Sequence, residues 1–209
     1  MINEIRFIGS NSGITKKSYT DFGLILTGQN IGVPKPKTYT VNIEGMDGSL
    51  DLSEFFGEIK HENRTLKFTF ETIEKIPDWQ SRMSIISSFL HGQKMKIEVW
   101  SDPDFYYIGR CFIDEYSSNA RLGKIVLSCD AEPYKYKKNV TTFNLVSGTN
   151  TVNNSRMTVF ADLMNESEIK INNKVYGAGT HLRAIKLTCG KNILNSSGEA
   201  TLAFQEGKI

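Results

Sequence analysis

Apolar and polar residues alternate in short runs along most of the chain. Leu66, Phe68 and Phe70 face one way, with Lys67, Thr69 and Glu71 on the other face or beyond. Met95, Ile97 and Val99 alternate with Lys94, Lys96 and Glu98, and Ile125, Leu127 and Cys129 form a third apolar row. A period of two residues is the signature of a strand with one buried face. Ser101, Asp102, Pro103 and Asp104 separate the 94–100 run from another at 105–113, which predicts a β-hairpin. One segment has the helical period instead. Trp79, Met83, Ile86 and Leu90 make a single apolar stripe, Pro77 suits a first turn and Gly92 a stop. A helix is predicted over 77–91.

The remaining segments read as β structure with turns. Residues 1–33 hold apolar runs at 5–8 and 22–26, punctuated by glycine. Pro34, Lys35, Pro36 and Lys37 favour an extended segment. In 38–57, Tyr39, Val41 and Ile43 predict a half-buried strand, and Gly45, Asp47 and Gly48 a tight turn. Asp51 and Glu54 suit a capping box over a short helix at 52–56, with Gly57 closing it. Beyond the proline and basic-aromatic cluster at 131–138, the chain turns rich in Asn, Thr, Ser and Gly. Strands follow at about ten-residue spacing, which suggests a small sandwich. A hairpin is predicted at 169–176 around Asn172 and Asn173, because Asn tolerates positive φ. The expected fold class is mainly β. Residues 1–137 form a β-barrel-like module with one α-helix, and 138–209 a small C-terminal β-sandwich.

Composition narrows the function classes. A length of 209 residues allows one large or two small domains. A formal net charge of +2 gives no general drive toward nucleic acid. No apolar run reaches the roughly 18 residues of a membrane-spanning helix, and the first residues lack the pattern of a signal peptide, so a cytosolic origin without membrane insertion is expected. Cys111, Cys129 and Cys189 are odd in number and lie in strand-like contexts, so buried thiols are expected rather than disulfides or metal ligands.

Candidate chemistry is sparse. His61, His91 and His181 have no partner at a metal-ligand spacing, and His91 falls at a helix C-terminus, where the dipole favours a cation. Asp102 and Asp104 flank a proline and read as a turn rather than a calcium loop. Asp47, Asp51 and Glu54 lie close in sequence, but turn and cap roles account for them better than a glycosidase pair. No nucleophile elbow, P-loop or dinucleotide fingerprint is present. Tyr134, Lys135, Tyr136, Lys137 and Lys138 interleave aromatics with bases, a pattern open to base stacking but more typical of a strand exit. No catalytic residue, cofactor site or metal site is expected, and the chain reads as a binding or assembly protein rather than an enzyme.

An ordered series of short motifs carries a family resemblance. It runs through 19–24, Thr27-Gly28-Gln29-Asn30-Ile31-Gly32, residues 34–40 and the Gly45-x-Asp47-Gly48-x-Leu50-Asp51-Leu52 turn. It continues through strand 64–70, the helix end Leu90-His91-Gly92, the 102–110 hairpin and 129–134. This series resembles the distal tail protein of long-tailed (siphovirus-type) phages and prophages of Gram-positive bacteria. The resemblance covers most of 1–138 and is looser beyond. It implies a virion protein of the phage tail tip, assembled in the host cytoplasm. The N-terminal module would be ring-forming, usually a homohexamer, and the C-terminal sandwich would project outward. This baseplate hub would join the tail tube protein to the tail-tip protein, meet receptor-binding proteins, and let DNA pass during ejection. No catalytic residue carries over. The alternative is a carbohydrate-binding module for host cell-wall glycan.

A ring leaves no free sheet edge if neighbouring subunits complete one another. Pro34, Lys35, Pro36 and Lys37, the turn residues Gly45, Asp47 and Gly48, and the pair Phe55 and Phe56 are candidates for the subunit interface. Phe55 and Phe56 either meet a neighbour or pack beneath their own module.

Overall fold

The structure, a computed structural model, describes residues 3–55, 57–72, 78–118, 122–155 and 157–209. The chain divides into two compact units, Met1–Lys135 and Tyr136–Ile209.

The first unit contains β1 (Ile5–Gly9), β2 (Thr15–Lys17), β3 (Leu24–Ile31), β4 (Thr40–Val41), β5 (Leu50–Asp51) and β6 (Arg64–Thr72). Helix α1 (Trp79–Leu90) follows, then β7 (Lys94–Val99), β8 (Phe105–Ser118) and β9 (Gly123–Ala131). Seven of its strands follow one another in an antiparallel sheet of nine, in the order β2-β1-β7-β8-β9-β6-β3. The predicted hairpin is β7–β8, with Ile97 opposite Tyr107 and Met95 opposite Gly109. Three strands separate β1 from β6 in the sheet, yet the rings of Phe7 and Phe70 meet edge-on at 6.5 Å. The sheet therefore curls around one core, as a partly closed barrel does. Leu66, Phe68 and Phe70 from β6, Ile125, Leu127 and Cys129 from β9, and Met95 and Ile97 from β7 fill it. The apolar rows read from the sequence are its inward faces.

Helix α1 lays the stripe of Met83, Ile86 and Leu90 on this core, with Trp79 partly buried beside them. Asp78 caps it, its carboxylate accepting the Ser81 N–H at 3.3 Å. Pro77, the expected opening residue, lies outside the described residues. The Trp79 ring occupies the space where a side chain at Gly123 would stand, with a Cβ there meeting ring carbons at 2.5 Å. Gly109 is confined by backbone instead. A Cβ would sit 2.9 Å from both Ala131 Cα and the Asp130 carbonyl oxygen. Gly109→Ala is expected to cost about 1–3 kcal/mol through forced separation of β8 from β9. Gly177→Ala, with no atom within 4 Å of its Cβ, should change stability by less than about 0.5 kcal/mol. Thermal melts of the two variants read the contrast.

β10 (Lys135–Lys137) crosses the boundary between the units. The second unit contains β11 (Thr141–Leu145), β12 (Gly148–Asn154), β13 (Val159–Asn165), β14 (Ile169–Ile171) and β15 (Lys174–Tyr176). β16 (Gly179–Leu187), β17 (Gly190–Ser196), β18 (Ala200–Phe204) and β19 (Gly207–Lys208) complete it. Two four-stranded sheets, β11-β18-β13-β16 and β12-β17-β14-β15, enclose a second core that includes Val152, Leu163, Ile171, Leu187 and Leu202. This is a β-sandwich. The hairpin at Asn172 is present, with that residue at φ 53°.

Three expectations differ from the structure. No helix forms at 52–55, and Phe56 lies outside the described residues. The Asp51 carboxylate instead accepts the Ser53 amide at 2.9 Å and the Ser53 hydroxyl at 2.5 Å, a local turn that competes with a helical start. The expected half-buried strand at 38–43 shrinks to Thr40–Val41, with Tyr39 and Ile43 exposed. Cys111 and Cys129 are buried, but Cys189 is exposed.

Candidate assembly interface

Between β3 and β6 the chain leaves the sheet as an arm, residues 33–63. Gly32 lies at its root. The Gly32 amide donates to the Thr65 carbonyl at 2.9 Å, and a Cβ at Gly32 would fall 2.7 Å from that oxygen. Only glycine permits this approach. The two arm strands then run together. Pro36 bridges His61, Lys37 N–H donates to Lys60 O at 2.7 Å, and Glu62 N–H donates to Lys35 O at 2.8 Å. The prolines thus occupy positions that owe no N–H to the ladder.

Further out, Thr40 and Val41 pair with Asp51 and Leu50. Tyr39 accepts from Leu52 N–H at 2.8 Å and donates its own amide to Ser53 Oγ at 2.8 Å. The tip turns at Gly45 (φ 82°) and Gly48 (φ 76°), with Ser49 donating to Asn42 across it at 2.6 Å. The Asp51–Ser53 turn closes the return strand. The Ser53 hydroxyl and then its amide hold the Asp51 carboxyl below the ordinary aspartate value of 3.8. A depressed carboxyl stabilises the turn above the ordinary value, and that contribution is lost as pH falls through the folded-state value. Ser53→Ala is expected to raise the Asp51 midpoint toward 3.8, read by an NMR titration of the side-chain carboxyl.

The arm has hydrogen bonds but little core. Val33, Tyr39, Ile43, Met46, Leu50 and Phe55 are all exposed, Tyr39 at 59% and Phe55 at 72%. Such a concentration of large apolar side chains on one element departs from the single, scattered exposure usual on a protein surface. Of the residues expected at an interface, Pro34 is buried at the arm's base, and Lys35, Pro36 and Lys37 are exposed along its stem. Gly45, Asp47 and Gly48 are exposed at the tip. Phe55 is exposed on the return side of the arm. Phe56 lies outside the described residues. The sequence placed Tyr39 and Ile43 on a half-buried strand and did not mark Val33, Met46 or Leu50 as exposed, because alternation alone does not say what covers an apolar face.

The other candidate residues take structural roles. His91 Nδ1 accepts the Ile113 amide at 3.1 Å, so the ring braces β8 from the end of the helix. His61 stacks edge-on against Tyr134, and His181 bonds the Gly177 carbonyl at 2.8 Å. Asp102 closes the hairpin turn and pairs with Lys135 Nζ at 2.6 Å, while Lys137 pairs with Glu206 at 3.8 Å. Two of the basic residues in the 134–138 cluster are thereby held by carboxylates. Among the described residues, no group of three His, Cys, Asp or Glu is placed to hold a metal ion.

Several asparagines of the second unit are likewise engaged. Asn150 accepts the Val146 amide at 2.9 Å and donates to the Val146 and Gly148 carbonyls. Asn165 donates to the carbonyls of Ser167 and Gly177, both at 2.7 Å. Their abundance follows from the number of tight turns in a small sandwich.

No known family model and no curated protein sequence matches the chain. Solved structures do. The Dit protein of phage SPP1, described as a paradigm of the hub adsorption apparatus in phages infecting Gram-positive bacteria, superposes with a TM-score of 0.71 at 13% identity, over 98% of this chain and 99% of that one. A chain of the phage p2 baseplate in its activated conformation with strontium gives 0.47 at 8% identity, over 100% of this chain and 99% of that one. At 13% identity, what is shared is the backbone architecture, and it extends almost from end to end of both proteins. This chain has the fold of the SPP1 Dit protein.

Proposed function

We propose that this chain is a distal tail protein, a structural component of a phage tail tip. Its first unit assembles with copies of itself into a ring, a hexamer by family resemblance, and the exposed arm supplies apolar contacts to the neighbouring subunit. The ring joins the tail tube protein to the tail-tip protein, and DNA crosses its lumen during ejection. The protein acts by positioning other components, without a catalytic step, at the tail tip of a virion assembled in the host cytoplasm. The observation that carries this reading is the end-to-end likeness to a phage hub protein, and the arm supports it independently. A net charge of +2 suits a conduit, because a strongly basic lumen would retain DNA.

Light scattering at rising concentration, with negative-stain imaging, tests the proposal. The expected result is a mass near six subunits and ring-shaped particles. A single-chain mass at every concentration, unchanged by added tail tube protein, would refute it. The glycan-binding reading rests on the Asn-, Thr- and Ser-rich composition of the sandwich, and two of those asparagines, Asn150 and Asn165, already donate to backbone carbonyls.

A further inference from the structure

Cys111 on β8 and Cys129 on β9 are register partners in the sheet, and their sulfurs lie 3.1 Å apart. Both residues are 0% exposed. The backbone groups of Cys111 bond away from β9. Its N–H donates to Gln93 O at 3.0 Å, and its carbonyl accepts from Gly92 N–H at 2.7 Å. An antiparallel residue that bonds to one neighbour in this way forms a non-hydrogen-bonded pair with the other. Such pairs bring the two Cα atoms to about 4.5 Å and turn the side chains toward each other. That separation lies within the roughly 4.4–6.8 Å span of a disulfide. Closing the bond therefore needs sulfur motion of about 1 Å and no change of register.

We propose that Cys111 and Cys129 are a latent redox pair, closed into a cross-strand disulfide by a small peroxide. The inference is independent of the tail-tip reading. One thiol takes an oxygen atom from hydrogen peroxide, becoming a sulfenic acid and releasing one water. The second sulfur attacks the first and displaces that oxygen as a second water. Two thiols and one peroxide become one disulfide and two waters; sulfur is oxidised and peroxide oxygen reduced. Peroxide is little larger than water, which suits a site closed to bulkier oxidants. The hydrogen bond with Cys111, together with burial, pushes the Cys129 thiol well above the ordinary range. Cys129 accordingly rests as a neutral thiol, and the buried pair is slower to be reached by oxidant than exposed Cys189.

The test uses the folded full-length chain and its Cys189→Ser variant. Each is exposed to graded hydrogen peroxide, quenched, denatured in N-ethylmaleimide and mapped without reduction. The expected product in both is a linked Cys111–Cys129 peptide pair, an intact mass lower by two hydrogens in Cys189→Ser, and reversal by dithiothreitol. The proposal is overturned if both buried cysteines still take the maleimide at peroxide doses that fully oxidise Cys189. Sulfinic acids at Cys111 or Cys129 without the disulfide would overturn it too, as would a disulfide that forms only after unfolding.

Discussion

Phe68→Ala is expected to remove about 3–5 kcal/mol from the stability of the first unit. Phe68 is fully buried on β6, where it pairs with Leu127 of β9 on one side and Gln29 of β3 on the other. Its ring lies 6.3 Å from that of Phe70. Truncation deletes an aromatic ring where strands on both sides are held by ladder hydrogen bonds, so the cavity cannot collapse without breaking them. Domains of this size have about 5–15 kcal/mol to lose, so the variant should sit near the edge of folding at physiological temperature. Urea unfolding followed by circular dichroism measures the change. Ile193→Ala, at a position 56% exposed in the other unit, should alter stability by less than about 0.5 kcal/mol. A loss at Phe68 below about 1 kcal/mol would mean that the core around it is loosely packed.

The second large effect concerns assembly, not folding. Tyr39→Asp combined with Phe55→Asp places two carboxylates on the exposed arm while leaving the core residues untouched. The melting temperature should hardly move. Buried aromatic anchors contribute about 2 kcal/mol or more each at an interface, so two of them amount to about a thousandfold in association. In a closed ring each subunit bears the loss at its contact with the next, and the assembled species should vanish from light scattering at concentrations where the parent forms it. A variant that assembles like the parent would place the subunit interface elsewhere on the molecule.

The sequence is clearest where the chain supplies both faces of a contact. Leu66, Phe68 and Phe70 found Ile125 and Leu127 within the same unit, so alternation translated directly into an inward face. The stripe from Met83 to Leu90 did the same for the helix. Tyr39, Val41 and Ile43 alternate just as cleanly, yet Tyr39 and Ile43 stand in solvent, because their arm projects from the sheet instead of joining it. Periodicity reports that a face is apolar and not what covers it. The helix expected at 52–56 failed for a local reason. Asp51 and Ser53 satisfy each other within three residues, and that bond displaces the capping box expected of Asp51 with Glu54. The pairing of Cys111 with Cys129 depends on the register of β8 against β9, which includes a bulge between Ile113 and Glu115 and is not set by spacing alone.

The arm is the continuation of two adjacent antiparallel strands, and this has a mechanical consequence. A pull on its tip draws β3 and β6 in the same direction, along their own length. The β6–β9 ladder, from Arg64 opposite Ala131 to Glu71 opposite Lys124, then meets the load in shear. Its hydrogen bonds lie across the direction of force and must fail together, whereas a peeling load would break them one at a time. An arm rooted in this way can transmit tension into the body of the first unit without unzipping the sheet from which it grows.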